Sequence, residues 1–116
     1  MKDFGGEIEY KNKIYKLPFN LNVMEEIQDK YGSIDKWAEL TDNNGANEPD
    51  IKALVFGLRC MINEGLEIEN EENGTEFKPL TQKQVGRIIT EIGLKEALKE
   101  LNNVVTESTK SDEKNV

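Results

Sequence analysis

Apolar residues recur at three- and four-residue steps along most of the chain, and the densest stripe runs from Asp50 to Leu66, DIKALVFGLRCMINEGL. Ile51, Leu54, Val55, Leu58, Met61, Ile62 and Leu66 trace one face of an amphipathic helix. Phe56 and Cys60 widen that face until little beyond Lys52, Arg59, Asn63 and Glu64 is left for water. A helix apolar on nearly every side belongs at the centre of a domain or against a partner. Asp50, following Pro49, is its predicted N-cap.

The period changes near the start. Between Gly6 and Phe19, Ile8 and Tyr10 alternate with Glu7 and Glu9, and Tyr15 and Leu17 alternate with Ile14 and Lys16. This two-residue alternation predicts a β-hairpin turning at Lys11-Asn12, with Ile8, Tyr10, Tyr15 and Leu17 on one face. Asn12 tolerates the left-handed backbone of a tight turn, and Pro18 stops the second strand. A lone hairpin is marginal in water, so it must lie on the helices or lend its edge to another chain.

Helical spacing returns at Leu21–Tyr31, where Val23, Met24, Ile27 and Tyr31 form a stripe. Asn20 or Asn22 is the expected N-cap and Gly32 the stop. Ser33 caps a short helix, Ile34–Leu40, in which Trp37 is expected to wedge into the core. The segments Thr41–Pro49 and Glu67–Pro79 read as loops; the second carries five glutamates before Lys78 and is expected to repel itself and stay mobile. Leu80-Thr81-Gln82-Lys83-Gln84-Val85 is a capping box, in which Thr81 and Gln84 satisfy each other's backbone amides. The helix it opens carries Val85, Ile88, Ile89 and Ile92 and ends at Gly93. A last helix shows Leu94, Ala97, Leu98, Leu101, Val104 and Val105 at near-ideal spacing, and 107–116 reads as a disordered polar tail. The expected fold is mainly α: about five helices in a compact bundle with a small N-terminal hairpin, one domain over residues 1–106.

Composition narrows the function more than the fold. At 116 residues the chain can bury a core without disulfides, and Cys60, its one cysteine, has no internal partner. A formal net charge of −8 disfavours nucleic acid and anionic membranes. Nothing resembles a secretory leader or a membrane span, so a cytosolic protein is expected. The chain has no histidine, hence no histidine-based acid–base pair or metal site. Cys60 on a buried helix reads as a structural thiol, and no glycine-rich phosphate loop follows a strand. Two acidic stretches fail as calcium loops. Counting from Glu69, the twelfth position is Leu80 rather than a bidentate glutamate; counting from Asp42, the turn glycine falls at Gly45 rather than sixth. No enzyme activity, cofactor or metal is expected.

The order of elements and several phrases resemble a known family. YKLPFNLNVMEEIQDKYGSIDKWAEL (Tyr15–Leu40), the central DIKALVFGLRCMINEGL and the late LTQKQVGRIITEIGLKEALKEL (Leu80–Leu101) are similar to small tail assembly chaperones of long-tailed phages and prophages of Gram-positive bacteria. The resemblance covers about Ile8 to Val105. It implies a non-structural factor, acting in the host cytoplasm, that coats the hydrophobic helical tape measure protein before the tail tube polymerises. Many members also have a longer form made by ribosomal frameshifting, and some relatives are minor tail or tube-associated proteins. Under this reading the acidity keeps many copies soluble and apart on one client.

The resemblance implies helix-in-groove binding. Part of the last stripe, Leu94, Leu98, Leu101 and Val105, together with Phe56, is the expected client-facing or self-associating surface; the alternative is that all of it is core. Two other functions remain open at this stage: a structural tail component or adaptor, and an acidic mimic of nucleic acid built on Glu67–Glu76.

Overall fold

In the computed structural model the central helix, α3, spans Ile51–Asn73; β2, α1, α2 and α4 are laid against it, and β1 and α5 pack onto those elements. The structure describes residues 6–42 and 48–114, with side chains to residue 106. Two strands, β1 (Gly6–Tyr10) and β2 (Lys13–Leu17), precede α1 (Leu21–Tyr31) and α2 (Ile34–Thr41); α4 (Gln82–Ile92) and α5 (Leu94–Lys114) follow α3. The fold is therefore five helices with an N-terminal hairpin. Most of the loop expected at Thr41–Pro49, and residues 115–116 of the expected tail, lie outside the described residues.

The hairpin forms as its alternation predicts. Ile8 pairs with Tyr15 and Gly6 with Leu17, antiparallel, and Ile8 and Leu17 are buried beside half-buried Tyr10 and Tyr15. Lys11 and Asn12 hold φ of 50° and 67°, the double left-handed geometry of a two-residue turn matched to strand twist. Strand β2 lies along α3 while β1 faces α4 and α5, so the helices cover one face of a sheet that could not stand alone.

Caps fix the helix starts. Asn20 accepts from the Val23 amide, Ser33 from Lys36 and Asp50 from Ala53. Thr81 and Gln84 exchange both bonds of the capping box, at 3.2 and 2.8 Å.

Helix α3 outruns its expected end by seven residues. Glu67–Asn73, expected as mobile loop, is helical, and Gly74 closes it with φ 70° and its amide on the Asn70 carbonyl. Glutamate is a good helix former, and tertiary bonds offset the mutual repulsion. Glu69 pairs with Lys13 at 3.4 Å. Asn70 holds both the amide and the carbonyl of Phe77, at 3.0 Å each, and Asn63 does the same for Leu80, at 2.8 and 3.1 Å. Each asparagine amide thus stands in for a strand partner and stitches the connection back onto α3. The last helix also runs past its expected end: its backbone is helical to Lys114, and no glycine or proline follows Gly93 to break it.

Trp37 is fully buried, its ring stacked on Phe19 with centroids 6.1 Å apart and its indole N–H donating to the Ala53 carbonyl at 2.9 Å. Space for it exists because α3 carries Gly57 there: a Cβ at that position would overlap Trp37 Cζ2 and lie 2.9 Å from Cε2. Gly65, two turns on, sits under β2 in the same way, where a Cβ would come within 2.7 Å of the Lys16 carbonyl oxygen. Two interior glycines let α3 sit against a tryptophan at one end and a strand backbone at the other.

Candidate docking groove

The expected partner surface divides when its residues are placed. Leu101 is fully buried and Leu98 is 5% exposed, both in the core beneath the hairpin and α4. They are corrected to core residues, since a side chain already covered from within the fold cannot meet a client. Val105 is half-buried against the same core. Phe56 is also half-buried: Tyr31 meets its ring edge-on at 5.7 Å, and Lys30 and Arg59 cover it at 5.4 and 5.7 Å. It is an aromatic cluster member rather than a bare anchor. Leu94 alone keeps the expected exposure, at 40%.

Leu94 belongs to a different surface from the one its stripe suggested. With Ile51, 52% exposed, it flanks a shallow groove of about 860 Å³ floored by Tyr10, Val55 and Ile89. One wall is the outer face of α4, where Lys83, Gly86, Arg87, Thr90 and Glu91 follow at three- and four-residue steps, and Leu94 at the start of α5 continues it. Apart from half-buried Gly86 these side chains are exposed. The two cations stand one turn apart, and among the described residues neither is in an ion pair. Apolar flanks with a few placed charges are what a helix-binding groove requires.

A second groove, about 760 Å³, lies between the outer face of the hairpin and the C-terminal half of α3, with Ile14, Pro18 and Ile68 among its walls. Its charges are largely spoken for: Glu69 is paired with Lys13 and Glu7 with Lys16 at 3.7 Å. Its glycine, Gly65, is explained by the Lys16 carbonyl. The α4 groove has unpaired charge and an unexplained glycine, and it is the better candidate.

Among the described residues no three histidine, cysteine, aspartate or glutamate side chains converge as metal ligands, and no helix is long and apolar enough to cross a membrane. Burial, a hydrogen bond from the thiol to Glu26 and that carboxylate's charge push Cys60 up from 9.0 to about 12, with Arg59 pulling weakly the other way. A thiol that keeps its proton is not a nucleophile at neutral pH. At pH 8 Cys60 of the folded protein is expected to react with an aromatic disulfide reagent about a thousandfold more slowly than in urea, from the difference in thiolate fraction. Between pH 9.0 and about 12 the folded chain retains a proton that the unfolded chain loses. The unfolded state then binds fewer protons, so stability falls as pH rises through that window; urea midpoints at pH 8 and 10 check the sign.

No family model, curated protein or solved structure matches this chain.

The sequence reading missed Gly86, Lys83 and Arg87. Their signal was available: an interior helix glycine costs about 1 kcal/mol relative to alanine and calls for a reason, and an unbalanced basic pair stands out in an acidic chain.

Proposed function

We propose that this protein is a non-catalytic assembly chaperone of a long-tailed phage or prophage, and that it holds apolar helical segments of the tape measure protein in the α4 groove. The resemblance of Tyr15–Leu40 and Leu80–Leu101 to tail assembly chaperones supports this class. One observation carries the mechanism: Ile51 and Leu94 stand exposed on the two flanks of a groove that no described residue fills. An amphipathic client helix would bury that pair and hide its own apolar face from other clients until the tail tube forms around it. The formal charge of −8 keeps loaded chaperones soluble and apart.

Co-expression with a candidate tape measure protein tests the reading. The client is expected in the soluble fraction and to co-purify only when this chain is present, and Ile51→Asp with Leu94→Asp is expected to return it to the pellet. A client that is insoluble with and without the chain contradicts the proposal.

A further inference from the structure

Among the described residues, none gives Gly86 a packing role. It lies in the interior of α4, its φ is not in the left-handed region, and a Cβ built on it meets nothing within 4 Å. Gly57 and Gly65 each make room for a named neighbour; Gly86 makes room for none among the described residues. It sits midway along the exposed face of α4, flanked by Lys83 and Arg87, on the wall of the groove between Ile51 and Leu94. A bare backbone there lets another backbone approach closely, and packed helices come nearest where the residue at the crossing is smallest.

Resting on the reading of this protein as a helix-holding chaperone, we infer that the groove takes an acid-flanked amphipathic helix crossing α4 at Gly86, with apolar side chains between Ile51 and Leu94 and carboxylates against Lys83 and Arg87. Charge selects this occupant. Lys83 and Arg87 are unpaired among the described residues, and Glu91 is the one carboxylate among the residues lining the groove. A basic-flanked helix would meet two like charges one turn apart. An acidic one would gain two pairs inside a partly desolvated contact, where the screening length of about 8 Å leaves near charges stronger than the distant acidic surface.

Two synthetic amphipathic helical peptides with the same leucine face, one flanked by glutamate and one by lysine, test this on the full-length protein by calorimetry. The glutamate-flanked peptide is expected to bind at least tenfold more tightly, and Lys83→Glu with Arg87→Glu to reverse that preference. Gly86→Leu is expected to abolish binding. Gly86→Ala is expected to weaken it while raising the melting temperature by about 3–6 °C, because alanine favours the helix and its methyl group meets nothing in the free protein. Equal affinity for both peptides, binding to neither, unchanged binding by Gly86→Leu, or a lower melting temperature for Gly86→Ala would each overturn the inference. Peptide selectivity without client solubility in co-expression would keep the groove and discard the chaperone reading. Client solubility untouched by Gly86→Leu would do the reverse.

Discussion

Replacing Leu98 and Leu101 together with alanine is expected to unfold the protein. Both side chains sit on the inner face of α5, 5% and 0% exposed, within the core that joins the last helix to the hairpin and α4. A buried leucine cut to alanine costs about 2–5 kcal/mol, from lost transfer energy and the cavity left behind. The two residues are neighbours on one helix, so their costs need not add, yet a combined loss of about 4–8 kcal/mol rivals the roughly 5–15 kcal/mol that holds a domain of this size. Circular dichroism at 25 °C is expected to show loss of most helical signal, or a urea midpoint near zero. A double variant with a near-native midpoint would move both residues back to the surface and reopen them as client contacts.

The same alanine has opposite signs at different glycines of the helices. Gly57→Ala is expected to destabilise by about 2–4 kcal/mol, as overpacking and a threatened buried hydrogen bond outweigh the roughly 1 kcal/mol that alanine normally adds to a helix. The new methyl group would occupy the place of Trp37 Cζ2, and the ring has nowhere to retreat. Phe19 stacks on it, and the indole N–H is held by the Ala53 carbonyl at 2.9 Å. Trp37→Phe removes the clashing part of the ring, so the double variant is expected to be more stable than the sum of the single changes. Urea denaturation of the four proteins in the cycle measures this coupling. Wild-type stability for Gly57→Ala would mean that α2 and α3 do not meet through this glycine.

What the sequence discloses is the local part of the fold. The capping box at Thr81, the Asn20 and Asp50 caps and the inward face of the hairpin are legible because each depends on residues a few positions apart. The C-terminal third of α3 is not. Its four glutamates, with Glu76 beyond, read as a repelling loop until Asn63 and Asn70 are known to grip Leu80 and Phe77, partners seventeen and seven residues away. Gly57 and Gly65 show in the sequence as two helix glycines eight apart, but what they admit, the Trp37 ring and the Lys16 carbonyl, arrives from other elements.

The groove illustrates the same boundary. Periodicity gives α5 an apolar face but not its cover, so Leu98 and Leu101 read as candidate contacts until the hairpin is seen to bury them. Leu94 sits at the start of that stripe, beyond the reach of the core, and its neighbours across the groove come from the first turn of α3. Phe56 reads as available because its helix is apolar all round; Tyr31 and Lys30 close over it from α1, outside the stretch that defines it, and Arg59 from its own helix.

The most direct test of the central claim is to titrate isotope-labelled protein with a helical segment of the tape measure protein and follow backbone amide shifts residue by residue. Gly86, Arg87, Leu94 and Ile51 are expected to move most, with Gly57, Leu98 and Leu101 nearly still. Largest shifts in the second groove, at Ile14, Gly65 and Ile68, would contradict it.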